Sequence, residues 1–123
     1  MWPFRKKKRF ALKMEDIRLL LMWEGPEGCF ATDRITVDGC KVGYMYREEP
    51  EDGFADSGWR FFEGNENPAY LDNLSHTGIY TLNEICNYDP DIIPLLNAPY
   101  GTAFVRAANG MFQKEPLLIP ENE

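Results

Sequence analysis

The chain has 123 residues, enough for one domain with one hydrophobic core. Hydrophobic residues at 44% and aromatics at 14% exclude a disordered chain, and no apolar run reaches the ~18 residues that a membrane-spanning helix needs. A net charge of −7 gives an average field that repels nucleic acid and speaks against it as a partner.

The charge is unevenly spread. Arg5, Lys6, Lys7, Lys8, Arg9 and Lys13 all precede the first acidic residue, Glu15, so six cations set against the net −7 leave −13 for residues 14–123. Residues 1–13 therefore read as a basic, flexible leader in which Trp2, Phe4 and Phe10 bracket the cations. A solvated, frayed terminus is the simpler reading, and contact with an anionic membrane surface through Met1–Lys13 is the lesser alternative. Lys13, Glu15, Asp16 and Arg18 interrupt the place where a secretory signal would carry its apolar core. Cys29, Cys40 and Cys86 are odd in number and lack CxxC spacing, which points to a reducing compartment and a cytoplasmic protein.

From about Leu12 to Trp23, Met14, Ile17, Leu20 and Leu21 recur near a helical period, and Gly25-Pro26 stops the pattern. The first half is expected to be helix and the second half, Arg18–Trp23, a strand. Cys29–Thr32 reads as a strand and Val37-Asp38-Gly39 as a turn. Lys41–Arg47 alternates, with Val42, Tyr44 and Tyr46 on one face and Gly43, Met45 and Arg47 on the other. Glu48–Asp56, which holds Pro50 and Gly53, is an acidic loop, and Ser57–Glu63 resumes a strand with Trp59 and Phe61 on one face and Arg60 and Phe62 on the other.

Ala69–His76 is expected to be a loop or a single helical turn, and Gly78–Thr81 a brief strand. Thr81 and Glu84 have capping-box spacing ahead of a short helix over Leu82–Asn87. Asp89-Pro90 starts another helix, limited by Pro94, to about Leu96. Asn109-Gly110 is the strongest hairpin signal, joining strands over Thr102–Ala107 and Met111–Lys114. The pattern predicts a single α+β domain over residues 14–116: a twisted, mainly antiparallel sheet with short helices and a C-terminal hairpin, followed by an irregular tail over 117–123.

Catalytic chemistry has little to stand on. His76 is the single histidine and sits in a polar turn, no cysteine is placed where its thiol would be activated, and neither GxGxxG nor GxxxxGK[ST] occurs. The EF-hand spacing is absent from the acidic loop, so no metal and no cofactor is expected. The loop instead suits electrostatic steering of a basic partner, and aromatics beside arginine suit an interface anchor. The candidate partner-binding residues are Tyr46, Glu48, Glu49, Glu51, Asp52, Asp56, Trp59 and Arg60, with exposed members of Tyr46, Trp59 and Arg60 as the anchor.

Six words in order carry a resemblance: Asp33-Arg34-Ile35-Thr36; Gly43-Tyr44-Met45-Tyr46-Arg47-Glu48; Asp56-Ser57-Gly58-Trp59-Arg60-Phe61-Phe62; Gly78-Ile79-Tyr80; Asn87-Tyr88-Asp89-Pro90; and Ala98-Pro99-Tyr100-Gly101-Thr102-Ala103-Phe104. Over roughly Gly28 to Phe112 the chain resembles the immunity protein 33 family, earlier catalogued as a bacterial domain of unknown function. The resemblance implies a small α+β domain that neutralises a toxin domain in bacterial polymorphic toxin systems, with no catalytic residue to carry over. The expectation is a non-enzymatic immunity-type protein that masks a toxin by surface complementarity. The alternative is a housekeeping or regulatory module binding a metabolite or peptide in an aromatic pocket near Trp59 and Tyr80. An enzyme ranks third and needs His76 beside a cysteine or carboxylate in a cleft.

Overall fold

The computed structural model describes residues 8–117. Along them run β1 (Gly28–Thr32), α1 (Asp33–Thr36), β2 (Tyr44–Arg47), β3 (Asp56–Phe62), α2 (Pro68–Asp72), β4 (Thr77–Thr81), α3 (Leu82–Tyr88), β5 (Thr102–Arg106) and β6 (Phe112–Pro116). Short 3₁₀ turns lie at Met14–Asp16, Leu74–His76 and Pro90–Leu95. The strands form one six-stranded sheet in the order β4-β1-β3-β2-β5-β6. Only β1 and β3 run parallel; the other neighbours are antiparallel, so the fold is α+β with a mainly antiparallel sheet.

Local chemistry sets the helix starts. Thr81 Oγ1 accepts the Glu84 amide at 3.1 Å while Glu84 returns a carboxylate to the Thr81 amide at 2.8 Å, the capping box expected at the head of α3. Asp89 accepts the Asp91 amide at 3.1 Å and Pro90 follows it, but the turn that results is 3₁₀ over Pro90–Leu95. The hairpin between β5 and β6 turns at Asn109-Gly110, where Gly110 has φ +88° and Asn109 Oδ1 accepts the Met111 amide.

Strand register then sorts side chains to two faces. Cys29, Ala31, Met45, Trp59, Phe61 and Phe104 share one face, where Ile35 of α1, Leu82, Ile85 and Cys86 of α3, and Ile92 and Leu96 close over them. Trp59 is wholly buried; its indole N–H donates to the Leu96 carbonyl at 3.0 Å, and its ring stacks on Phe61 and Phe104. A buried indole needs such an acceptor, so this contact ties the sheet to the 3₁₀ turn beyond α3.

Two local expectations need correction, and one short element has no expectation behind it. The segment expected as helix then strand over Leu12–Trp23 is a single 3₁₀ turn followed by extended chain outside the sheet. Side-chain amides of α3 take its backbone in place of a strand partner: Asn83 Oδ1 accepts the Leu20 and Leu21 amides, Asn87 Oδ1 accepts the Arg18 amide, and both residues donate to the Arg18 carbonyl. Val42 does not share a face with Tyr44 and Tyr46. It precedes β2 and is buried in the core, where its amide donates to Asp89 at 3.0 Å. Helix α1 was not anticipated, since four residues are too short to display a period; the Asp33 carbonyl holds it by accepting the Val37 and Asp38 amides.

Of the basic leader expected over residues 1–13, residues 1–7 lie outside the described residues. From residue 8 the chain follows the domain surface. Lys8 pairs with Asp33 at 2.8 Å, Phe10 meets Tyr80 edge-on, and the Ala11 amide donates to the Thr36 carbonyl. The irregular tail expected over 117–123 falls, past Leu117, outside the described residues as well.

Candidate protein-binding face

The sheet's second face is built around an irregularity in β3. Gly28 pairs with Asp56 while Phe30 pairs with Arg60, so the register slips between them. Gly58 sits in the slip at φ +91°, where a Cβ would run into the Glu48 carbonyl oxygen, so glycine is required. Asp56 Oδ1 accepts the Gly58 amide at 2.8 Å and Ser57 Oγ the Trp59 amide at 3.3 Å, satisfying groups that the slipped ladder leaves free.

This geometry joins Asp56 and Arg60. Arg60 is 3% exposed, and its two terminal nitrogens each donate to an Asp56 oxygen at 2.8 Å. Its Nε donates to Glu48 at 2.7 Å, and the ring of Phe30 lies 4.6 Å from the guanidinium carbon. Burial pushes the Asp56 carboxyl up, but Arg60 and the amides of Glu51 and Gly58 outweigh it and hold the group below the usual carboxylate range. Burial pulls the Arg60 guanidinium down, and the bonds to Asp56 and Glu48 more than reverse this. The result is a planar, bidentate ion pair of the strong kind, fixed in the wall of the sheet.

Around this pair the second face is aromatic. Tyr46 stacks on Phe62 with centroids 5.6 Å apart, and Tyr44 leans against both. The connection from β3 to β4 must cross β1, and it carries α2 and the Leu74–His76 turn over one side of this face. Asn67 starts α2 by accepting the Tyr70 amide, with Pro68 at the first helical position. The crossover covers the face only in part. A groove of ≈ 350 Å³ runs past Phe30, Tyr46, Glu48, Glu51, Arg60, Phe62, Leu71 and Leu74, and a hollow of ≈ 380 Å³ shares Tyr46, Phe62 and Leu71 with it. At its margin Leu74 is 84% exposed, and Ile79, paired across the strands with Phe30, is 57% exposed.

The eight expected site residues divide between surface and interior. Tyr46 and Glu48 are half-buried and line the groove; Glu51 lines it as an exposed residue, and Glu49 and Asp52 are exposed on the same loop. Trp59, Arg60 and Asp56 are buried, so they are not exposed anchors. Trp59 faces the opposite, helix-covered side because β3 alternates, while Arg60 and Asp56 neutralise each other. Phe30, Leu71 and Leu74 complete the groove and were not foreseen. Phe62, by contrast, was placed beside Arg60 by alternation alone.

Other expected chemistry takes ordinary shapes. His76 stacks on Tyr70 with centroids 4.0 Å apart, and its Nδ1 lies 2.8 Å from the Tyr70 carbonyl oxygen. Burial pushes the thiols of Cys29 and Cys40 up, and that of Cys86 up to about 12, so they are protonated at neutral pH. Trp59 and Tyr80 do not share a pocket. Tyr80 lines a small hollow of ≈ 100 Å³ with Phe10, Leu12, Met14 and Tyr88. Among the described residues no group of three or more His, Cys, Asp or Glu is disposed to hold a metal ion, and no helix is long and apolar enough to cross a membrane.

The sequence of this domain matches a known family. The immunity protein Imm33 domain matches residues 29–115, which takes in every strand but the first residue of β1 and the last of β6. The chain belongs to that family of immunity proteins. No curated protein and no solved structure matches it.

Proposed function

We propose that this protein is a cytoplasmic, non-enzymatic immunity protein that neutralises a bacterial toxin domain by surface complementarity. It docks through the second face of the sheet. The observation that carries this reading is the partly uncovered floor of Tyr44, Tyr46 and Phe62 beside the acidic loop, in a chain that belongs to an immunity protein family. Aromatic floors with polar rims have the make-up of binding hot spots. Glu49, Glu51 and Asp52 stand out on the loop and supply steering toward a basic toxin, an effect that salt screens. Asp56 bonds the Glu51 amide at 2.7 Å, so the loop is tethered before any partner arrives.

The test is affinity capture of the tagged protein from its native cells at low and high salt, followed by co-expression with the captured partner. The expected result is one stoichiometric protein with a toxin domain, lost at high salt, whose growth inhibition this protein relieves. Capture of a co-purifying small molecule with no protein would replace this reading with the pocket-binding module. The groove's ≈ 350 Å³ lies at the lower end of small-ligand sites and favours that second reading.

A further inference from the structure

We propose that the groove on the second face is a receptor for a single cationic side chain, an arginine or lysine, presented by the protein partner between apolar neighbours. This assignment rests on the immunity reading and names the chemistry that the docking face recognises.

The lining of the groove points to a cation. Tyr46 and Phe62 lie nearly parallel, with 15° between their planes, and both line the groove and the hollow that continues it. Aromatic faces carry negative potential and attract a guanidinium or ammonium laid over them. The charged residues lining the groove are Glu48, Glu51 and Arg60, and Glu66 lines the adjoining hollow. Arg60 is shared between Asp56, through two hydrogen bonds, and Glu48, through Nε, so these three groups keep one net negative charge and Glu51 adds a second.

The carboxylates are also held ready. Arg60 Nε takes one Glu48 oxygen, Oε2, and among the described residues no partner donates to the other, Oε1. Asp56 fixes the backbone at Glu51 through its amide. Glu66 differs: its oxygens accept from Thr32 Oγ1 and from the Glu63 and Gly64 amides, which makes it a structural acid. Glu48 and Glu51 are therefore the acceptors, Tyr46 and Phe62 the floor, and Arg60 and Asp56 positioning residues. Leu71, Leu74 and Ile79 at the margin suit apolar side chains that flank the cation. An anionic or purely apolar segment would cover Glu51 with no counter-charge and Glu48 with only its share of Arg60, which is costly once water is excluded.

The experiment is an amide-resolved NMR titration of the full chain with N-acetyl-arginine methylamide, using the uncharged N-acetyl-citrulline methylamide as control. The expected result is a saturable set of shifts at Tyr46, Glu48, Glu51, Phe62 and Leu71 with the arginine compound, and none with citrulline. Salt at about 0.5 M should weaken the binding. Glu51→Gln and Tyr46→Leu, both at groove positions that are not fully buried, should each weaken it about fivefold. Equal binding of citrulline, shifts scattered over other acidic surface, or undiminished binding by both variants would overturn the assignment. So would groove resonances that move in the free protein on dilution, or on replacing Arg5, Lys6 and Lys7 by Gln, since a second copy or the chain's own N-terminal segment would then be the occupant. If toxin capture succeeds and the arginine titration fails, the immunity reading stands and the cation receptor falls. The opposite pattern retains the receptor and removes the toxin.

Discussion

The two faces of one sheet draw on the same kinds of residue and treat them differently. On one, Trp59, Phe61 and Phe104 stack beneath α1, α3 and the Pro90–Leu95 turn, and Trp59 has no exposure at all. On the other, Tyr44, Tyr46 and Phe62 cluster as closely but are only partly covered by the α2 crossover. Aromatic content alone therefore does not distinguish core from interface. The difference lies in what crosses above each face, and an aromatic cluster left partly uncovered in a folded chain is an arrangement from which binding surfaces are made.

The comparison is sharpest in stability. Trp59→Ala should cost about 3–5 kcal/mol by urea denaturation, because it opens a cavity in a closed core and orphans the Leu96 carbonyl. Tyr46→Ala should cost no more than about 1 kcal/mol, the usual scale for a residue outside the core. Similar losses for the two variants would mean that the second face is as fully packed as the first.

Arg60→Leu tests whether the ion pair belongs to the architecture of the second face. It leaves Asp56 buried without its partner, at an expected cost of about 3–5 kcal/mol, whereas Arg60→Leu combined with Asp56→Leu should recover part of that loss. No recovery in the double variant would show that the pair is not the unit that matters.

A smaller effect appears with pH. The carboxyls of Asp56 and Glu66 titrate below their usual values when folded, so at mildly acidic pH the unfolded chain binds protons first. Their stabilisation is present above the ordinary carboxylate range and is lost as pH falls through the folded values, below about pH 4. The denaturation midpoint should decline in that window, and Asp56→Asn should shallow the decline. An unchanged slope in that variant would assign the acid sensitivity elsewhere.

The smallest effect on folding should have the largest effect on binding. Reversing charge at exposed Glu49, Glu51 and Asp52 together should move stability by only about 0.5 kcal/mol per site or less. Yet it should weaken capture of the partner and flatten its salt dependence. Affinity that ignores salt in both proteins would remove the steering role of this loop.

Much of the fold was legible because its signals are local. The capping box at Thr81 and Glu84, the hairpin at Asn109-Gly110 and the alternation through Trp59, Arg60, Phe61 and Phe62 each depend on residues a few positions apart. The acidic loop was equally plain, and so was the list of aromatics. The side each aromatic would face was less plain. Val42 seemed to continue the alternation of Tyr44 and Tyr46, but β2 starts only at Tyr44, and Met45 is the residue of this stretch that β2 turns into the core. The segment Arg18–Trp23, expected as a strand, differs for another reason: its backbone is claimed by Asn83 and Asn87, more than sixty positions away.

The sequence by itself determined the α+β class, the acidic loop and most of the chain's turns, since short-range spacing and turn chemistry suffice for these, while the family is carried by six words in order over most of the chain. Only the tertiary structure decided that Trp59 belongs to the core, that Arg60 is spent on Asp56 and Glu48, and that Phe30, Leu71 and Leu74 meet Tyr46 and Phe62 around one groove. Those outcomes depend on the register slip at Gly58 and on where the β3–β4 crossover passes. Both are set by contacts between residues far apart in the chain, which no local spacing encodes.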